Sequence, residues 1–225
     1  MPELKNISKF YGPLKVFDNF SISFSENHVN CILGPSGCGK TTLLNIIAGL
    51  LDPDSGETSG IKMDKISYVF QEPRLLPWKT VKGNIEFTLR EKVPPQIIDD
   101  LIKKYISLVE LEGYENYLPD QLSGGMKQRV SLARAFSFPS EIILMDEPFK
   151  GLDYKLKQSL QKSFLELWKN DKRTVIYVTH DVDEAIELGE IIFLFSKQPV
   201  KILKKFNNTE LKNNITKQMV IDLME

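Results

Sequence analysis

Only two cysteines, Cys31 and Cys38, occur among the 225 residues. They are too few for a disulfide framework, suit a reduced setting, and read as small buried or loop residues. Long hydrophobic runs are also missing: the longest nearly uncharged stretches, residues 43–51 and 191–196, fall far short of the roughly 20 apolar residues that cross a bilayer. A transmembrane helix is therefore not expected. The opening residues Met1-Pro2-Glu3-Leu4-Lys5 lack the basic start and apolar run of a secretory signal, so a cytoplasmic chain is expected. Nor is there an excess charge of one sign. With 29 Lys+Arg against 30 Asp+Glu the net charge is −1, so no global basic field draws nucleic acid, and none is expected as a partner. Internal repeats and low-complexity tracts are absent too.

What is present is ordinary globular usage, 42% hydrophobic and 26% charged, enough for one core with a small lobe grafted on. Apolar runs of strand length occur at 29–33, 66–70, 142–145, 175–179 and 191–195. Helical spacing follows several of them, at 41–51, 128–136, 156–168 and 181–188. Within 156–168, Leu156, Leu160, Phe164 and Leu167 recur at a helical period, the mark of a face that covers a sheet. The alternation predicts an α/β fold with a largely parallel sheet buried on both faces. From about 75 to 118 it breaks. Pro73, Pro77, Pro94 and Pro95 punctuate amphipathic stretches such as 96–111, which reads as a helical lobe inserted into a core made of 1–74 and 119–225. Residues 199–206 are expected to add a strand, and 209–224 a terminal helix with Thr209 as its N-cap.

Chemistry concentrates in three short segments. Gly34-Pro35-Ser36-Gly37-Cys38-Gly39-Lys40-Thr41 matches the phosphate-loop pattern and lies between an expected strand and an expected helix. Its glycines let backbone N–H groups turn inward around phosphates, and the helix N-terminus adds partial positive charge. Lys40 should reach the β- and γ-phosphates and the Thr41 hydroxyl should hold Mg²⁺. Ile142-Ile143-Leu144-Met145-Asp146-Glu147 is an apolar strand ending in two carboxylates. Asp146 would bind Mg²⁺ through water, and Glu147 could orient or polarise the water that attacks the γ-phosphate. Leu122-Ser123-Gly124-Gly125-Met126-Lys127-Gln128-Arg129 sets a second glycine pair before a helix, again suited to an anion. Since one phosphate loop already serves one nucleotide, this second site suggests a nucleotide held by another subunit.

In their order and spacing these segments resemble the ATP-binding cassette of ABC transporters, over nearly the whole chain. The resemblance implies one cassette spanning 1–225: a phosphate-loop NTPase core with an inserted helical subdomain and a small antiparallel β subdomain. It makes 122–128 the signature sequence, Gln71 the Q-loop glutamine, Asp153 a D-loop residue, His180 the switch histidine and Tyr11 the aromatic that stacks on adenine. The implied ATP site draws on Tyr11, Gly34, Ser36, Gly37, Cys38, Gly39, Lys40, Thr41 and Thr42 of one chain and Ser123, Gly124 and Gly125 of a second. Thr41, Gln71 and Asp146 surround Mg²⁺, and Lys40, Gln71, Glu147 and His180 form the catalytic set.

The segment Phe70-Gln71-Glu72-Pro73-Arg74-Leu75-Leu76-Pro77-Trp78 and the Met126 variant of the signature are similar to cassettes of the nitrate, sulfonate and taurine importer group. Two features depart from the family. Lys150 occupies a D-loop position where a small residue is usual, and 54–65 is short where relatives carry a longer β-rich segment. The implied function is an ATPase subunit at the cytoplasmic face of a membrane. It would homodimerise around ATP and drive a separate permease that imports a small, sulfonate-, nitrate- or taurine-like solute delivered by an extracytoplasmic binding protein. The alternatives are a non-transport ABC ATPase acting on nucleic acid or ribosomes, and a nucleotide-binding regulatory module without turnover.

Overall fold

The computed structural model describes residues 1–207; the helix expected at 209–224 lies outside them. The strands are β1 (Glu3–Tyr11), β2 (Leu14–Ser23), β3 (Val29–Leu33), β4 (Ser55–Ser59), β5 (Ile66–Val69), β6 (Ile142–Asp146), β7 (Thr174–Thr179), β8 (Ile191–Phe195) and β9 (Ile202–Asn207). The helices are α1 (Lys40–Ile47), α2 (Val81–Leu89), α3 (Pro95–Leu108), α4 (Gly124–Ser137), α5 (Tyr154–Asn170) and α6 (Val182–Leu188). Six strands form one sheet in the order β5-β6-β7-β3-β8-β9, and β2-β1-β4 form a second. Strand β3 runs parallel to β7 and to β8, whereas β9 closes the edge antiparallel to β8. Every residue of β3, β7 and β8 is buried, as a parallel sheet covered on both faces requires. This is the α/β architecture that the alternation of apolar runs predicts.

The described residues pack as two compact units: Met1–Ile66 with Leu144–Glu147 and residues 173–207, and Ser67–Ile143 with Pro148–Lys172. In the first unit the antiparallel sheet lies against β8 through aromatic rings. Phe20 meets Phe195 edge-on at 5.5 Å and Phe24 meets Phe193 at 5.8 Å. The hairpin β1–β2 is absent from the strands predicted by spacing, because register irregularities break its alternation at three places. Its clearest trace in the sequence is the Gly12-Pro13 turn. The short 54–65 segment still supplies β4, which pairs antiparallel with β1.

In the second unit α4 packs against α2, α3 and α5. Helix α4 begins at Gly124, four residues before the apolar periodicity suggests, because Ser123 caps it through Met126 N–H at 3.3 Å. A Cβ on Gly125 would stand 2.4 Å from Leu156 Cδ1, so this glycine lets α4 approach α5. Arg129 fastens the cluster: its guanidinium donates to Val109 O at the end of α3 and to the Ser159 and Ser163 hydroxyls of α5. It also pairs with Glu110 at 3.0 Å. Helix α1 ends at Ile47, short of the expected residue 51, because Gly49 takes a left-handed φ of 65°, a common helix stop.

Arg129 therefore sets the stability of the helical unit. Arg129→Met should cost about 2–3 kcal/mol, the range for losing charged hydrogen bonds from half-buried acceptors. A lower urea midpoint with near-native circular dichroism checks it.

Candidate active site

The loop between β3 and α1 is pinned at both ends. Gly34 N–H donates to Thr179 O at 3.3 Å, tying the loop's start to the end of β7. At its other end Gly39 has φ 123°, and a Cβ there would lie 2.6 Å from Val16 Cγ1, so both conformation and space demand glycine. Ser36 and Gly37 are exposed at the tip, whereas Cys38 is buried, and burial pushes its thiol pKa up against the opposing pull of Lys40. Lys40 opens α1 and is only 4% exposed. Its ammonium donates to Gly34 O at 2.8 Å and Pro35 O at 2.9 Å, and lies 3.8 Å from Glu147 Oε1.

Strand β6 delivers the two carboxylates. Asp146 Oδ1 accepts from the Thr41 hydroxyl at 3.0 Å. Glu147 follows with a left-handed φ of 42°, a conformation that costs a non-glycine residue on the order of 1–3 kcal/mol and is retained where the surroundings enforce it. Its N–H donates to Val178 O at 3.1 Å, and its Oε2 lies 3.0 Å from His180 Nδ1. Lys40, Thr41, Asp146, Glu147 and His180, all singled out in the sequence, thus converge. Hydroxyl and carboxylate oxygens are the ligands Mg²⁺ prefers, with phosphates and water completing its shell. Among the described residues no group of three or more His, Cys, Asp or Glu could hold a metal ion.

A cavity of about 260 Å³ opens beside these groups, lined by Tyr11, Leu14, Val16, Gly37, Gly39, Lys40, Thr41, Thr42, Glu147 and Gln198. Tyr11 is 50% exposed at the end of β1. Gln198 was not singled out in the sequence. It sits in the β8–β9 turn, and its amide donates to Gly37 O at 2.7 Å from 161 positions away. No local pattern announces such a contact.

The remaining implied residues belong to the second unit. Gln71 is exposed just after β5. The loop that follows it is held by Arg134 of α4, which donates to Pro73 O at 3.0 Å and Arg74 O at 2.9 Å. Ser123 and Gly124 are exposed at the start of α4, with open space beside Gly124, while Gly125 packs on Leu156. Asp153 is exposed and caps α5 through Leu156 N–H at 3.1 Å; Lys150 is exposed in the same loop. Gln128 of α4 donates to Pro148 O at 2.8 Å. Gln128 ends the segment that the resemblance names as the signature, whereas Arg134 carries no signal of function beyond its place in a helix.

A phosphate loop facing a strand-end carboxylate pair and a histidine defines a nucleotide-hydrolysing class of site. The chain belongs to the ABC transporter family, whose model matches residues 17–150, and is an ATP-binding subunit with ATPase activity. It is 42% identical over 212 residues to an uncharacterised ABC transporter ATP-binding protein of Methanocaldococcus jannaschii, covering 89% of this chain and 79% of that protein. It is 41% identical over 212 residues to the aliphatic sulfonates import ATP-binding protein SsuB of Bacillus cereus, covering 91% of this chain and 83% of SsuB. A dimeric ATP-binding cassette solved in a post-hydrolysis state with ADP and Pi superposes with a TM-score of 0.78 at 33% identity, covering 92% of this chain and 99% of that one.

The Gln198 contact has a measurable consequence. Gln198→Ala should weaken binding of a fluorescent ATP analogue about three- to tenfold, the worth of one hydrogen bond that shapes the loop, with an unchanged melting temperature.

Proposed function

We propose that this chain energises uptake of a small anionic solute of the sulfonate, nitrate or taurine kind, working as an ATP-bound homodimer on a separate permease at the cytoplasmic face of a membrane. An extracytoplasmic binding protein would deliver the solute. Among the described residues no helix is long and apolar enough to cross a membrane. The observation that carries the catalytic part is Glu147, held between Lys40 and His180; the solute class rests on the 41% identity to a sulfonate import subunit.

The nucleotide would stack its base on Tyr11 and lay its phosphates along the backbone from Gly34 to Thr42, with Ser36 and Cys38 contributing N–H groups. Lys40 would trade Gly34 O and Pro35 O for phosphate oxygens. Mg²⁺ held by Thr41 and Asp146 would offset charge on the β- and γ-phosphates. Glu147 would accept a proton from the attacking water, or orient it, and His180 would steady Glu147 through Nδ1. The exposed N-terminus of α4, with Ser123, Gly124 and Gly125, would meet the γ-phosphate held by the partner copy.

The permease would dock on the helical lobe, about 75–118. Trp78 is 72% and Phe87 54% exposed, and exposed aromatics are favoured interface anchors. Trp78 does not hang on a loose loop. The buried Asn84 amide bonds Leu76 N–H at 2.8 Å and the Lys79 and Thr80 carbonyls at 2.9 and 3.0 Å, fixing the turn that presents it.

Glu147→Gln should lower steady-state ATP hydrolysis by about 10²–10⁴-fold, the usual worth of a general base, while ATP still binds. With ATP and Mg²⁺ it should elute as a dimer, and adding Ser123→Arg should return it to monomer. Near-normal turnover, or dimers of the double variant, would refute these roles. Trp78→Ala should keep ATP binding and melting temperature but lose association with the permease and uptake of labelled alkanesulfonate; a lowered melting temperature with intact association would reverse the docking assignment.

A further inference from the structure

A buried carboxylate outside the implied catalytic set is bonded to the residue that precedes the histidine. Glu184, in the first turn of α6, is only 4% exposed. Its Oε2 accepts from the Tyr177 hydroxyl and, at 2.7 Å, from the Thr179 hydroxyl. The same Thr179 oxygen accepts from Asp181 N–H at 3.0 Å. The Asp181 carboxylate in turn accepts from the N–H groups of Asp183 at 2.9 Å and Glu184 at 3.2 Å. The two neighbours of His180 are thereby closed into one ring of hydrogen bonds that runs from β7 through Glu184 and back to the start of α6. Burial first, and then the charge of Glu184, push the Tyr177 pKa far up, so this phenol stays protonated and remains a donor.

His180 itself gains little from packing, since its side chain is 41% exposed. A half-exposed residue at the end of a strand keeps a fixed Cα–Cβ direction only if the backbone on both sides is held. Here that backbone is held by hydroxyl and carboxylate bonds, of which the two from Tyr177 and Thr179 to Glu184 are buried and so strengthened by the low dielectric.

We infer that Glu184 is a positioning residue: through Tyr177, Thr179 and Asp181 it aims His180 at Glu147. The assignment rests on the reading that His180 works in turnover. It differs from a role in folding alone by acting on kcat and on the imidazole, while leaving the binding of ATP by the phosphate loop in place.

The test uses the full chain with Thr179→Val, Glu184→Ala, Glu184→Gln and His180→Ala. Thr179→Val removes the hydroxyl at nearly constant volume, so it serves where Glu184→Ala fails to fold. Thr179→Val and Glu184→Ala should lower kcat at least tenfold with KM for ATP within threefold. Glu184→Gln, which keeps an oxygen to accept from both hydroxyls, should recover kcat to within threefold of the parent. Only two histidines occur, His28 and His180, so imidazole NMR signals resolve them: His180 should shift or broaden in Thr179→Val while His28 stays in place. Unchanged kcat or an unmoved His180 signal in Thr179→Val overturns the assignment, as does Glu184→Gln that is no better than Glu184→Ala. If His180→Ala hydrolyses ATP normally, the reading of His180 falls and the assignment with it. If His180→Ala is inactive while Thr179→Val is normal, the assignment alone falls.

Discussion

A carboxylate removed from water has to be paired, and Glu147, 9% exposed, meets that demand with Lys40 on one oxygen and His180 on the other. Much of the first unit is arranged around this requirement. The left-handed backbone at Glu147 sends two consecutive carboxylates to different partners, Asp146 to Thr41 and Glu147 to Lys40 and His180. An extended strand would alternate them to opposite faces. Lys40 needs the same geometry, because an ammonium that is 4% exposed is stable there only while carbonyls and a carboxylate surround it.

The helical unit answers a different constraint, that of holding loops that have no core of their own. Helix α4 does this with three side chains at unequal spacings. Gln128 holds Pro148 O, Arg129 holds the end of α3 together with α5, and Arg134 holds the loop after Gln71. Guanidinium and amide groups suit this work, since they donate to backbone carbonyls of segments outside the helix: one for Gln128, one for Arg129 together with two hydroxyls, and two for Arg134.

The two readings of the chain agree most where local chemistry is dense. The buried strands β3, β7 and β8 show as uninterrupted apolar runs, and the phosphate loop shows as a glycine pattern with a lysine at its end, because both are set by residues adjacent in sequence. The hairpin β1–β2 is faint, since bulges interrupt its period of two. The first turn of α4 is hidden by glycines, whose weak helix propensity conceals a start that Ser123 and the packing on Leu156 enforce. Gln198 and Glu184 are fainter still: an isolated Gln or Glu in a polar stretch carries no pattern. Gln198 meets Gly37 only through the approach of a segment 161 positions away, and Glu184 meets Tyr177 and Thr179 only once β7 turns back into α6.

By itself the sequence determined the class of fold and the residues able to handle phosphate, because strand periodicity, glycine spacing and the runs Gly39-Lys40-Thr41 and Asp146-Glu147 are properties of neighbours along the chain. Tertiary structure alone decided that Thr41 would bond Asp146 from 105 positions away and that Glu147 would lie between Lys40 and His180. The reason is physical. Which carboxylates are buried, and which donors reach them, depends on the order β6-β7-β3 across the sheet, and that order is a choice among strand pairings that no local stretch of residues encodes.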